Sequence, residues 1–329
     1  MYTNSSPTIS IIIPNYNGAK YIKETIDSVL SQSYPCLEAI VVDDGSIDAS
    51  IEILMEYNDS RLSLYSRGEN YPKGANACRN IGIEKAQGEY LIFLDSDDLL
   101  DKNCLKYRVA YMNTHKELYF AVFHSIKFWG NVGNGERFTR LSGYNPIRNF
   151  LCLSPIWQTS SVIWRKDFVE SIGGFNYNYQ RFQDPEMTLR GLLASNNNYK
   201  LVNDSVPDMY YRRPPRLSKD KLVFSYRSMF RFIHDFYNEQ YKGYIEKNDA
   251  HLMFYYLSNL HLRFCEQDND KHQYQSCVVN LAFFASDIKS TIVYKVCSNE
   301  RLFSFLKKSF FFKTYVRAKA SWYRYMLKF

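Results

Sequence analysis

The chain has 329 residues, 46% of them hydrophobic and 17% aromatic, with no low-complexity tract; this excludes an intrinsically disordered chain and leaves room for a catalytic domain plus an appendage. Its formal charge of +7 is unevenly placed, since residues 1–210 carry 20 Lys and Arg against 24 Asp and Glu while residues 211–329 carry 21 against 10. No apolar run approaches the roughly 18–20 residues that span a bilayer, the start MYTNSSPT lacks a basic leader region, and seven scattered cysteines without a C-x-x-C pair argue against a disulfide framework or a cysteine zinc site, so a reducing, cytoplasmic setting is expected.

Residues 8–14, TISIIIP, form a β-branched run stopped by Pro14, as suits a fully buried parallel strand. A helix is expected next, capped by Asn17, with Ile22, Ile26, Val29 and Leu30 at helical spacing. The pattern repeats. LEAIVVDDGS, residues 37–46, reads as a second strand ending in acids, and Ser46 is the expected cap of a helix that places Ile47, Ile51, Leu54 and Met55 on one face. A third strand at 61–67 precedes a helix from about Gly74 to Ala86 that closes near Gly88, and YLIFLDSDD is the fourth strand. Strands alternating with helices imply right-handed crossovers and a mainly parallel, Rossmann-like sheet flanked by helices. Ligands bind such sheets at the carboxyl ends of the strands, which gathers residues 14–17, Asp43 and Asp44, Arg67, and residues 95–98 on one edge. Further strands are expected at 119–127 and 159–165, with GNVGNGE, residues 130–136, as a hairpin turn or loop. The prolines of YRRPPRLS, residues 211–218, mark a boundary between a domain over 1–215 and a basic, aromatic-rich, helical region over 216–329.

The acidic tip DSDDLL carries the first chemistry. Asp95 and Asp97, two residues apart, can approach one divalent cation if the chain turns there, and carboxylate oxygens suit Mg²⁺ or Mn²⁺; the same acids can equally cap the following helix. A calcium loop is excluded, because the sixth position from Asp95 is Leu100 and the twelfth is Lys106 where Gly and Glu are needed. GENYPKG lacks the spacing of a nucleotide P-loop.

These motifs stand in order and at suitable separations over about residues 8–100, from IIIPNYNG through VVDDGS and RNIGIEKA to LIFLDSDD, and they resemble the donor-binding half of the family-2 inverting glycosyltransferases of GT-A fold. The resemblance implies that Pro14, Tyr16 and Asn17 line the nucleobase pocket, with Tyr16 as a stacking surface, and that of Asp43 and Asp44 the second contacts the uracil. By the same correspondence Arg79 and Asn80 lie near the nucleotide, while Asp95, Ser96 and Asp97 hold ribose and metal; Asp98 is either a further metal ligand or a helix cap. A leaving diphosphate is stabilised by a divalent cation and by neighbouring cations, for which Arg67, Lys73, Arg79 and Arg212 are candidates.

Residues 157–190 keep the family's order less closely, with Gln183-Asp184 where the family usually has Glu-Asp. Asp184 takes the position of the general base and Glu186 is the fallback; Pro185 fits a first helical turn, so Asp184 can also be a plain N-cap. Trp157 and Trp164, with Tyr177 and Tyr179, are candidates for an aromatic platform under an acceptor sugar, or else ordinary packing. The last 29 residues, 301–329, hold eight Lys or Arg, ten aromatics and no acid, which suits contact with an anionic membrane from the inner face of the cell, or packing with a solvated basic face; no nucleic-acid motif accompanies the charge. The expectation is therefore a metal-dependent transferase moving a sugar from a nucleotide-diphospho-sugar, a UDP-sugar, to a glycan or lipid-linked acceptor in surface polysaccharide synthesis. A sugar nucleotidyltransferase is the alternative enzyme, although it wants a Gly-rich, basic loop after the first strand where this chain has PNYNGA; an inactive sugar-nucleotide-binding scaffold is the non-enzyme alternative.

Overall fold

A computed structural model describes residues 9–151 and 155–213, together with Ser228, Arg231, Phe232, Asp235 and Phe236. The chain divides into two compact units, Met1–Ser142 with Pro155–Arg216, and Gly143–Ser154 with Leu217–Phe329. In chain order the first unit holds β1 (Ile9–Asn15), α1 (Ile22–Leu30), β2 (Leu37–Asp43), α2 (Ser50–Met55), β3 (Leu62–Ser66), α3 (Ala75–Lys85), β4 (Tyr90–Phe93), β5 (Leu99–Leu100), α4 (Cys104–Thr114), β6 (Phe120–Val122), β7 (Ser125–Trp129) and β8 (Asn131–Arg137). The second unit contributes α5 (Pro146–Leu151), and its five further described residues are helical. The first unit resumes with a single 3₁₀ turn (Thr159–Ser161), β9 (Val162–Arg165), α6 (Lys166–Ser171), α7 (Gln183–Ala194), β10 (Tyr199–Leu201) and β11 (Met209–Arg212). The helical expectation for 216–329 and the basic segment 301–329 otherwise lie outside the described residues.

Seven strands form one sheet in the order β10-β6-β9-β4-β1-β2-β3, parallel throughout except for β9, which runs antiparallel to both β4 and β6. All seven residues of β1 are buried, because both faces of this inner strand are covered. Ile9, Ile11 and Ile13 pack with Ile22, Ile26 and Val29 of α1, whereas Ile12 points the other way, to α3. There Gly82 admits the strand so closely that a Cβ would lie 2.3 Å from Ile12 Cγ2. A second, four-stranded sheet has the order β5-β11-β7-β8.

Local details depart from the sequence expectation where tertiary contacts outbid propensity. Asn17 does not cap α1; it stands at φ 51°, and its Oδ1 accepts from the Ile47 backbone N–H at 2.9 Å. Ser46 does not cap α2 either, because its hydroxyl is engaged with Asp43, and Asp48 Oδ1 receives the Ser50 N–H at 3.0 Å instead. Consequently α2 is short and leaves Ile47 and Met55 exposed. The expected strand 119–127 breaks at His124, whose ring meets Thr139 Oγ1 and the Asn203 carbonyl, so its two halves, β6 and β7, serve different sheets. GNVGNGE turns only at Gly130, at φ 65°, and then pairs with β7 as the edge strand β8.

Candidate active site

The topology opens a crevice at the carboxyl edge of the large sheet. The β1–β4 ladder ends where the Leu94 N–H reaches the Ile12 carbonyl at 3.0 Å, while β1 stays with β2 until the Asp44 N–H reaches the Asn15 carbonyl at 2.8 Å. Alternation along the strand turns Pro14 to the β4 side, just beyond the last rung, so its missing N–H breaks no ladder bond. Into this opening project the loops after β1, β2, β3 and β4, which carry nearly all the donor-side candidates.

On the β2 side the two neighbouring acids have different roles. Both oxygens of buried Asp43 are consumed locally: Oδ1 accepts from Asn15 Nδ2 (2.8 Å) and Ser46 Oγ (2.5 Å), and Oδ2 from the N–H groups of Gly45 (2.9 Å) and Ser46 (2.8 Å). This turn requires Gly45 at φ 85°, a conformation that glycine adopts without strain. Asp43 therefore shapes the loop and has no oxygen left for a ligand. Asp44 instead pairs with Arg67 Nε at 2.5 Å, and Arg67 also donates to the Tyr71 carbonyl, so this guanidinium is a wall of the pocket and no free clamp. Tyr16 is 48% exposed, and Lys73 Nζ stands 4.3 Å from its ring centroid, an exposed aromatic face with a cation already over it.

The acids after β4 also divide. Asp95, Ser96 and Asp97 are half-buried, and Asp97 has its carboxyl pushed up to about 6, first by burial and then by the charge of Asp95. Asp98 is buried. Its Oδ1 accepts the Arg212 backbone N–H at 2.9 Å and its Oδ2 faces Ser160 Oγ at 3.4 Å, which makes it a strut between this loop and β11 and removes it from the expected metal set. Arg212 is likewise structural, for its side chain donates to the Asp97 carbonyl (2.8 Å) and to Glu24 (2.7 Å) and lies over Tyr21 and Phe128. Ser96 presents only its backbone to a described partner, taking the Thr25 hydroxyl at 3.0 Å.

Arg79 joins the donor side to the opposite wall. It projects from α3, is 3% exposed, and donates from Nη2 to Asp95 Oδ1 at 2.7 Å; Nη1 lies 2.9 Å from Gln183 Oε1 and 3.3 Å from Asp184 Oδ1. Asp184 lies inside the first turn of α7, behind Phe182 in the left-handed region, and makes no capping bond, so the N-cap alternative falls. Burial raises its carboxyl above the usual range and the charge of Asp95 adds to this, against the lowering effect of Arg79. Two asparagines one turn apart on α3 place this wall: Asn76 Nδ2 donates to the carbonyls of Asn176 (2.7 Å) and Tyr179 (2.6 Å), and Asn80 exchanges both its bonds with the Phe175 backbone at 2.8 Å. Asn80 therefore holds the loop before α7. The helical i, i+4 spacing of Asn76 and Asn80 was the signal available for this clamp, and sequence reasoning passed over it.

The acceptor-side candidates do not assemble. Trp157, Trp164 and Tyr179 are 1–2% exposed, so no ring face among them is open to a sugar; Trp164 packs in the core against Phe120 in a tilted pair, with ring centroids 4.3 Å apart. Tyr177 alone of the four is exposed, at 42%. Glu186 is buried and held by Arg190 through both oxygens, at 2.6 and 2.9 Å, which occupies it as an anchor for α7 and rules it out as a spare base.

No group of three or more acidic, His or Cys side chains among the described residues is arranged to hold a metal ion. Two carboxylates remain, Asp95 and Asp97. Hard oxygen donors suit Mg²⁺ or Mn²⁺, and a half-buried like-charge pair that raises Asp97 is the environment a divalent cation relieves, so the residues fit such an ion with Asp98 omitted. Tyr16 offers an exposed aromatic face at one end, Asp95 and Asp97 an acidic pair in the middle, and Asp184 a carboxyl raised by burial beyond Arg79. No helix among the described residues is long and apolar enough to cross a membrane.

Known proteins are similar to this chain in sequence and in fold. Residues 10–164 match the model of glycosyl transferase family 2. The putative teichuronic acid biosynthesis glycosyltransferase TuaG of Bacillus subtilis is 44% identical over 112 residues, covering 33% of this chain and 44% of TuaG, so the match spans less than half of that relative. Among solved structures, residues 1–349 of Staphylococcus aureus TarS superpose with a TM-score of 0.60 at 22% identity, covering 95% of this chain and 88% of the other. The mannosyltransferase PcManGT of Pyrobaculum calidifontis gives 0.54 at 15% identity, covering 97% and 88%. These two likenesses show a shared fold, and the family match with the ordered strand-end motifs leads to one conclusion: residues 10–164 of the chain are a glycosyl transferase family 2 region.

Proposed function

We propose that the protein transfers a sugar from a nucleotide-diphospho-sugar, a UDP-sugar, to a hydroxyl of a surface glycan or lipid-linked saccharide, with inversion at the anomeric carbon. The observation that carries this reading is the bridge Asp95–Arg79–Asp184, in which one buried guanidinium pairs with a donor-side acid and with the proposed base. Asp184 accepts the proton of the acceptor hydroxyl while that oxygen bonds to the anomeric carbon, and the bond to the departing diphosphate breaks with its electron pair. A single displacement of this kind turns an α-linked donor into a β-glycoside. Tyr16 and Asp44 hold the base, and Asp95 and Asp97 would hold Mn²⁺ or Mg²⁺, which when bound stabilises negative charge on the leaving group. Support for the donor class comes from relatives, TarS having been crystallised with UDP and with UDP-GlcNAc, and PcManGT with GDP-Man and Mn²⁺. The acceptor class is suggested by TuaG's putative role in teichuronic acid biosynthesis and by the poly(ribitol-phosphate) substrate in the name of TarS.

Incubating the protein with a panel of sugar nucleotides and Mn²⁺ tests the reading. Release of nucleoside diphosphate from one donor supports it. Release of pyrophosphate from a nucleoside triphosphate and a sugar phosphate would point to a nucleotidyltransferase, and nucleotide binding without turnover to a scaffold. Segment 301–329 is proposed to meet an anionic membrane; equal flotation with phosphatidylglycerol liposomes after its removal would overturn that part alone.

A further inference from the structure

Outside the crevice, α3 and the loop joining α6 to α7 enclose a cavity of about 630 Å³, a size that takes a sugar residue or two. Its frame is firmly built. Gly173 and Gly174 stand at φ 81° and 59°, and Gly174 comes so close to α3 that a Cβ would meet Asn80 Oδ1 at 2.7 Å. Arg190 donates to the carbonyls of Ile172 and Gly174 while Glu186 grips it with both oxygens, and Asn80 is spent on the Phe175 backbone.

What remains for a ligand is of one chemical kind. Tyr177, 42% exposed, offers an aromatic face; Glu84 and Glu170 offer exposed carboxylates and Asn178 an exposed carboxamide. Glu84 Oε2 is oriented by the Tyr71 hydroxyl at 3.0 Å, and Glu170 Oε1 stands 3.6 Å from Lys166 Nζ. An open ring beside carboxylates, which only accept hydrogen bonds, matches a ligand with an apolar face and a set of hydroxyl donors, as a pyranose has. A phosphate finds no match. Two carboxylates line the cavity, and Arg190, the cation lining it among the described residues, is already paired with Glu186.

One residue joins this cavity to the proposed active site. Phe175 lines the cavity, and its ring centroid lies 5.1 Å from the guanidinium carbon of Arg79, whose Nη1 is 3.3 Å from Asp184. A sugar held there sits one layer of side chains away from the proposed base, as suits a residue of the acceptor chain beyond the one that reacts.

We infer that this cavity is a subsite for a neutral pyranose residue of the acceptor glycan, with Tyr177 as its stacking surface. The inference rests on the proposed transfer and deepens it by naming the chemistry of the acceptor.

Saturation-transfer difference NMR on the full chain tests it, with the methyl glycosides of glucose, galactose, mannose and N-acetylglucosamine at up to about 20 mM, above the millimolar Kd expected of a ligand with about a dozen heavy atoms. Wild type should bind at least one of them, and saturating UDP with Mn²⁺ should leave it bound. The corresponding sugar 6-phosphate should bind about tenfold more weakly or worse, and Tyr177→Ala should weaken the glycoside by about fivefold or more. Should Tyr177→Ala fail to fold in a thermal melt, Glu170→Gln decides, for removing this exposed charge should strengthen binding of the 6-phosphate severalfold. No glycoside bound, displacement by UDP, equal binding of the 6-phosphate, or folded variants that change nothing each overturn the inference. Glycoside binding by a protein that releases nucleotide from no sugar nucleotide overturns the transferase reading and the acceptor role together, whereas active wild type that binds no glycoside overturns the inference alone.

Discussion

Replacing Asp184 with Asn removes the proposed base with almost no change of shape, and the structure indicates how the loss should divide. On the catalytic side a positioned general base contributes about 10²–10⁴-fold, so turnover should fall by that factor, or about 3–5 kcal/mol of barrier. On the structural side the cost is small. Arg79 keeps Asp95 at 2.7 Å and Gln183 at 2.9 Å, the lost charge partner was the more distant one at 3.3 Å, and Asp184 Oδ1 takes no hydrogen bond among the described residues that the amide would forfeit. That exchange costs about 1 kcal/mol, a shift of roughly 2–4 °C in melting temperature for a domain of this size. UDP affinity should stay within about twofold, because Asp184 lies across the crevice from Tyr16 and Asp44. The assay is nucleotide release from the donor, run beside calorimetry with UDP and a thermal melt. A variant retaining more than a tenth of wild-type turnover would refute the assignment of the base, and a melting temperature lowered by more than about 10 °C would refute the claim that the Asp184–Arg79 ion pair adds little stability.

Other outcomes follow from the same geometry. Asp184 must be ionised to accept a proton and its carboxyl lies above the ordinary range, so activity should fall on the acid side at a higher pH than the usual carboxylate value of about 3.9, and a pH profile of kcat/KM checks this. Asp97, pushed up to about 6, must lose its proton to hold a cation; Mn²⁺ affinity measured by electron paramagnetic resonance should therefore weaken as pH falls through about 6, and Asp97→Ala should abolish it. Asp98→Asn should leave metal dependence intact and lower stability by about 1–3 kcal/mol in urea unfolding, since it places an amide where a buried acceptor serves the Arg212 N–H and Ser160; loss of metal dependence would restore it as a ligand. Trp164→Ala should cost about 3–5 kcal/mol of stability, as for a large core side chain, and a stable variant defective only in transfer would revive the sugar platform.

Much of this architecture follows from local pattern alone. Four β-branched or apolar runs, each ending in polar residues and followed by a helix, are enough to predict a largely parallel sheet, because only strands buried on both faces tolerate runs such as ISIIIP, and a parallel sheet collects its loop ends on one edge. The gathering of Tyr16, Asp44 and Asp95 to Asp97 at that edge was legible for the same reason. What sequence could not supply is which polar atoms are already used. Asp43 and Asp44 are adjacent in the chain, yet one is spent on the turn at Gly45 and the other faces Arg67; Asp97 and Asp98 are adjacent too, yet Arg212, 114 residues beyond Asp98, claims the second. Trp157 and Glu186 looked available from spacing alone, and burial removed both. A carboxylate's chemistry depends on its neighbours within about 4 Å, and for residues at strand ends those neighbours come from distant segments. The chain order of residue types determined the fold and the edge, while long-range packing through Arg79 and Arg212, together with the i, i+4 pair of Arg190 with buried Glu186, decided which acids remain free to act.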